Sequence, residues 1–179
     1  MLQFKCLKCG GCCKNLFREN PSGLNGLSVF SDELYLFPKK KLAPARGVGE
    51  SPNDEYFVVT HYQLRVRNCP FLEGNSCTIY ERRPLACRCY PFTPGLLSEG
   101  GLRLEYDPDC RGMLELQAKN PSDFALYQIS APDELRLNRL LLKKLFEKES
   151  QATGHKIWYY DLRTNKWITG VSLRKKVAK

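Results

Sequence analysis

Nine cysteines supply the chemistry of this chain: Cys6, Cys9, Cys12, Cys13, Cys69, Cys77, Cys87, Cys89 and Cys110. Four of them fall in one short run, Cys6-Leu7-Lys8-Cys9-Gly10-Gly11-Cys12-Cys13. A single cysteine is often an inert core thiol, but chance burial does not crowd four together. A disulfide framework needs an oxidising compartment and usually an even count. The count here is odd, and the start of the chain has no basic stretch followed by an apolar block. Ligation of a metal ion or cluster by thiolates is the chemistry that remains, with the ligands in Cys6–Cys13 and Cys69–Cys110.

Two ligand geometries overlap in the first run. Cys-x-x-Cys-Gly opens zinc knuckles and rubredoxin loops, where the glycine takes the unusual angles of the turn. Cys-x-x-Cys-x-x-Cys wraps cubane clusters, presenting sulfurs to different irons. The side chains of Cys12 and Cys13, being adjacent, are expected to diverge rather than share one tetrahedral ion. The later cysteines stand in Cys69-Pro70, Cys77-Thr78, Cys87-Arg88-Cys89-Tyr90-Pro91 and Asp109-Cys110. None forms the second Cys-x-x-Cys of a zinc ribbon. Their long, irregular spacings favour an iron–sulfur centre, with 4Fe-4S the expected type, over zinc, although thiolates serve both. Arg82, Arg83 and Arg88 lie among these cysteines. Four thiolates around Zn²⁺ or an oxidised cubane leave a net charge of about −2, which nearby cations offset. The alternative is that these arginines are solvated or pair with Glu81.

The string Phe4-Lys5-Cys6-x-x-Cys9-Gly10-x-Cys12-Cys13, then Cys69-Pro70-Phe71-Leu72, Cys77-Thr78-Ile79-Tyr80-Glu81-x-Arg83-Pro84 and Cys87-Arg88-x-Tyr90-Pro91-Phe92, resembles the CxxCxxCC family of proteins proposed to chelate zinc or iron. The likeness runs over roughly residues 4–112. It implies that Cys6, Cys9, Cys12, Cys13, Cys69, Cys77 and Cys87 are chelating residues, with Cys110 completing the set by position. Cys89 is an extra relative to that pattern. The same pattern resembles that of bacterial flagellin lysine-N-methylases, which implies methyl transfer with S-adenosylmethionine as an alternative. The chain lacks the larger remainder of those enzymes and any convincing glycine-rich nucleotide loop, so catalysis is not the expected role.

The elements that must hold the cysteines are modest. Asn20 to Gly26 reads as irregular, and Ser31-Asp32-Glu33-Leu34 as a short helix capped by Ser31 and stopped by Pro38. Lys39 to Asn53 reads as a polar loop. Tyr56–Thr60 and Gln63–Arg67 are rich in β-formers or alternate, predicting a strand or hairpin into Cys69. Leu102–Tyr106 predicts another strand, and Asp107-Pro108-Asp109 a turn. Helix starts are predicted at Pro121–Phe124 and at Ser130-Ala131-Pro132-Asp133, the second with Ser130 as cap. Leu137, Leu140, Leu141, Leu145 and Phe146 would form its core face. Lys156–Asp161 and Lys166–Thr169 predict an aromatic β-hairpin. His61, on a strand, is expected to pack or face solvent, and His155 carries no signal.

Charge is uneven. Residues 136–179 hold 12 of the 28 Lys and Arg but only three acids, while residues 1–135 are balanced. Any RNA or ribonucleoprotein partner would therefore meet residues 136–179, where Trp158, Tyr159, Tyr160 and Trp167 stand among the cations. No apolar run is long enough to span a membrane, and the cytoplasm is the expected compartment. The expected fold is α+β, with a cysteine-rich region over 1–115 of short antiparallel strands packed on helices and a hairpin over 116–179.

Overall fold

The computed structural model describes residues 2–21, 23–96, 102–151 and 155–169. Its strands and helices are, in order, β1 (Arg18–Asn20), β2 (Gly23–Asn25), β3 (Ser28–Val29), β4 (Leu42–Gly49), β5 (Val58–Leu64), β6 (Leu72–Glu73), β7 (Ser76–Cys77), α1 (Leu85–Cys89), β8 (Phe92–Leu96), β9 (Leu102–Tyr106), α2 (Arg111–Lys119), α3 (Phe124–Ser130), α4 (Pro132–Gln151), β10 (Lys156–Asp161) and β11 (Lys166–Thr169). Every strand pairing is antiparallel, so the fold is α+β. Among the described residues no helix is long and apolar enough to cross a membrane.

The chain divides into two compact units. One comprises Met1–Lys14 with Pro70–Lys143, the other Asn15–Cys69 with Lys144–Lys179. The first unit is built on the β8–β9 hairpin, in register from Phe92↔Tyr106 to Leu96↔Leu102. Its core gathers Phe92, Leu104, Met113, Phe124, Tyr127, Ala131 and Leu135, one buried stripe from each of α2, α3 and α4 against the hairpin. Each such side chain removed from water contributes about 1.5–3 kcal/mol before entropy is counted. Phe4 joins the core edge-on to Phe92 at 5.5 Å, and its N–H donates to the Tyr127 hydroxyl at 3.2 Å. That double contact pins the start of the cysteine run.

The second unit is a five-stranded sheet ordered β11-β10-β4-β5-β3, with the β1–β2 hairpin beside it. Buried Gln63 satisfies its amide in full: Nε2 donates to the Pro44 and Tyr160 carbonyls, and Oε1 accepts from Gly26 N–H at 2.7 Å. Burial works against the Asp161 carboxylate, but bonds from Leu24 N–H, Arg163 N–H and the Thr164 hydroxyl outweigh it and hold the group below the usual carboxylate range. His61 is buried near the Phe30 ring, where burial and the Arg46 charge push its pKa down to about 4.

The β9 strand, the Asp107–Asp109 turn, the two helix starts and the β10–β11 hairpin stand where the sequence places them; Asp109 N–H donates to Asp107 Oδ1 at 2.9 Å. Other segments differ. Within the stretch from Asn20 to Gly26 read as irregular, Gly23–Asn25 is a strand paired with Arg18–Asn20. Leu42–Gly49 is the central strand of the sheet, not a polar loop; a register shift after Pro44 accommodates the proline, and Ala43 and Ala45 face inward. The two β-rich stretches fuse into the single strand β5. Ser31 begins a 3-10 turn whose cap is Phe30: its N–H donates to Glu33 Oε2 and its carbonyl accepts from Glu33 N–H. The Ser130 hydroxyl donates back to the Leu126 carbonyl, as serines do in helices, so it does not cap α4. The inward stripe of α4 is Ala131, Leu135 and Asn138, one turn earlier than expected, leaving Leu140 and Phe146 exposed.

Candidate metal centre

The cysteine run enters from the pinned Phe4 without regular structure, then makes one 3-10 turn over Gly11–Cys13. Gly10 precedes it at φ 71, where an added Cβ would sit 2.9 Å from the Asn75 carbonyl and 3.0 Å from Leu72. Only glycine allows both the left-handed angle and this approach to the β6–β7 hairpin, which carries Cys77 opposite Leu72. On the other side, a Cβ added to Gly112 in the first turn of α2 would sit 3.0 Å from the Phe4 ring and 3.2 Å from the Lys5 carbonyl. The glycines of Cys-Gly-Gly-Cys and Cys110-Arg111-Gly112 thus let the run lie close to the hairpin and to α2.

None of the nine cysteines is in a disulfide. Cys6, Cys9 and Cys12 are exposed; Cys13, Cys77, Cys87 and Cys110 are half-buried, all in the first unit. Cys69 is half-buried and closes the first segment of the second unit, one peptide bond before Pro70. Cys89, one helical face away from Cys87, is 2% exposed.

Electrostatics identify which thiols share a neighbourhood. Burial pushes the Cys110 thiol up; the N–H groups of Gly112 and Met113 oppose this, and the Cys6 and Cys9 sulfurs add to it. Cys110 is therefore within electrostatic reach of Cys6 and Cys9, and Gly112 beside it packs on Lys5 and Leu7, which flank Cys6. Burial also raises the Tyr90 phenol, with Asp107, Cys110 and Cys12 contributing. The Lys8 N–H donates to Cys6 Sγ at 3.4 Å.

Tyr80 is a neighbour that the residue types alone did not single out. Burial raises its phenol, Arg83 lowers it, and a hydrogen bond with Cys6 raises it again. The Arg83 guanidinium stacks 3.7 Å from the Tyr80 ring centroid and the Lys8 ammonium stands at 4.8 Å. Two cations thus gather beside Cys6 on one aromatic ring. The signal for Tyr80 was present in the Cys77-Thr78-Ile79-Tyr80 string, but nothing in its residue type pointed to Cys6.

Among the described residues no three Cys, His, Asp or Glu side chains converge closely enough to hold an ion. The donor chemistry nonetheless fits a borderline or soft metal: the first unit offers thiols and has no histidine, and backbone N–H groups and cations stand near the sulfurs. Metal binding commonly supplies the free energy that orders its own loop. His61 and His155 both belong to the second unit, His61 buried in the sheet and His155 exposed.

A set of thiol donors on a small α+β frame defines a cysteine-rich chelating domain. The chain belongs to the CxxCxxCC family, described as "Putative zinc- or iron-chelating domain", which matches residues 5–111. No curated protein and no solved structure matches it.

Proposed function

We propose that this protein binds a thiolate-ligated centre, an iron–sulfur cluster in preference to zinc, in a structural or electron-transfer role. The observation that carries the reading is the packing of Gly112, two residues after Cys110, on Lys5 and Leu7 at either side of Cys6. The proposed ligands are Cys6, Cys9, Cys12, Cys13, Cys69, Cys77, Cys87 and Cys110, with Cys89 left in the core. A bound cluster would supply one-electron chemistry, and zinc only a clamp. The chain's own contribution is to place hydrogen-bond donors and cations near the sulfurs. Lys8 N–H serves Cys6, Gly112 and Met113 N–H serve Cys110, and Lys8 and Arg83 set positive charge beside Cys6.

The RNA alternative has no observation in its favour. Lys144 pairs with Asp32, Lys156 with Glu50 and Arg163 with Glu19, so part of the basic end is already neutralised. Arg174, Lys175 and Lys176 lie outside the described residues.

Purification without air, followed by iron, sulfide and zinc analysis and an absorbance spectrum, tests the proposal. Brown protein with iron and sulfide in similar amounts is the expected result. Colourless protein with stoichiometric zinc would reject the cluster and keep the thiolate centre. Protein that retains neither metal and takes up neither on reconstitution would end the reading altogether.

A further inference from the structure

A cleft of about 200 Å³ lies in the first unit between the cysteine run, the residues around α1 and the first turns of α4, with Cys6 on its wall. Phe4, Phe92 and Leu137 make it apolar on one side. Two cations, Arg83 and Arg88, and two carboxylates, Asp133 and Glu134, line the remainder. Arg83 is held in place by its Nε–H bond to the Tyr80 carbonyl at 2.8 Å and by the ring beneath it. Neither Arg83 nor Arg88 is in an ion pair among the described residues. Glu134 is fixed in turn: Tyr127 donates its hydroxyl to Oε1 at 2.7 Å.

Asn138 adds the most specific demand. It is wholly buried on the lining, its Nδ2 donates to the Glu134 carbonyl at 2.9 Å, and its Oδ1 has no hydrogen-bond partner. Buried acceptors are rarely left so. A single water would satisfy Asn138 and leave both arginines without a counter-charge. A simple anion would answer the arginines and leave Asn138 Oδ1 facing no donor, while Glu134 keeps only the Tyr127 hydroxyl. If the arginines only offset thiolate charge, Asn138 Oδ1 still has no donor, although Asp133 pairs with Arg136 and Glu134 accepts from Tyr127.

We infer that this cleft, with Arg83 and Arg88 facing Glu134 and Asn138 across apolar walls, binds a small zwitterion of the α-amino-acid class. The carboxylate meets the two guanidinium groups, and the ammonium donates to Glu134 and to Asn138 Oδ1. The apolar walls take an aliphatic side chain. Bidentate guanidinium–carboxylate pairing and an ammonium between acceptors are the strong, charge-assisted kinds of hydrogen bond.

Calorimetry on the full chain, purified with whatever metal it carries, tests this with three probes: L-leucine, 4-methylpentanoate, which lacks the ammonium, and 3-methylbutylamine, which lacks the carboxylate. L-Leucine is expected to bind saturably, and each single-charge probe at least about tenfold more weakly, the loss expected from one charge-assisted bond. Arg88→Gln and Glu134→Gln, each checked for native circular dichroism, should each weaken L-leucine by about tenfold. The idea is overturned if L-leucine gives no saturable heat, if either single-charge probe binds as well, or if both variants bind unchanged. Metal analysis on the same samples scores the chelation reading separately: metal-free protein that still binds L-leucine would leave this inference intact.

Discussion

Cys87 and Cys89 leave α1 about 200° apart around the helix axis, and the structure gives them opposite surroundings, one half-buried and one sealed in the core. Cys89→Ser should therefore leave metal content unchanged and cost about 1–3 kcal/mol in urea unfolding, because a hydroxyl replaces a thiol in an apolar place. Cys110→Ser should do the reverse: the fold persists by circular dichroism while bound metal falls. Equal metal loss in both variants would show that Cys89 is a ligand after all. His61 makes a second residue-scale prediction. Its folded pKa of about 4 lies below the unfolded value of about 6.5. The folded state thus binds fewer protons, so the stability is present above pH 6.5 and lost as pH falls toward 4. The loss amounts to about 3 kcal/mol at most. Urea midpoints of the native protein and His61→Asn, compared between pH 7 and pH 4, should converge at the acid end. A parallel fall in both would assign the acid sensitivity to carboxylates instead.

At the scale of elements, two glycines in the sheet unit explain how strands with few large side chains pack tightly. A Cβ on Gly47 would meet the Phe57 ring at 2.2 Å, and a Cβ on Gly26 would meet the Leu64 carbonyl oxygen at 1.8 Å. A ring on a rotatable side chain can yield; a backbone carbonyl in a paired strand cannot. Gly47→Ala should cost the about 1–3 kcal/mol usual for overpacking, and Gly26→Ala more than that. Thermal and urea unfolding of the pair checks the order, and the reverse order would contradict the packing described. The same crowding explains why β4 was not legible. Leu42-Ala43-Pro44-Ala45-Arg46-Gly47-Val48 has the alternation of a strand but the composition of a loop. At Gly47 and Gly49 the Phe57 ring occupies the space that a side chain would need. By contrast, β9, β10 and β11 carry large β-formers themselves, and α3 and α4 begin at their own Pro and Asp signals, so those elements could be read locally.

For the whole molecule, the cysteine run has little regular structure of its own beyond one 3-10 turn. It is held through Phe4, Gly10 and the neighbouring Cys110, so a bound metal should add most of its order. Removing metal under reducing conditions should speed amide exchange at residues 6–13 and 110–113, while β10 and β11 keep their protection. Uniform loss of protection would mean instead that the metal supports the whole fold.

Residue type and spacing alone determined that thiols are the chemistry of this chain, because no other arrangement accounts for four cysteines in one short run. They also marked out the α+β character and the self-contained hairpin and helix starts, since those signals are local. Only the tertiary structure decided that Cys110 comes within electrostatic reach of Cys6 and Cys9, that Cys89 is core, and that Tyr80 and two cations stand beside Cys6. It alone decided that Arg83, Arg88, Glu134 and Asn138 share a cleft. Each of these joins residues far apart in the chain, and such proximity follows from how hairpins and helices pack, which spacing along the sequence does not encode.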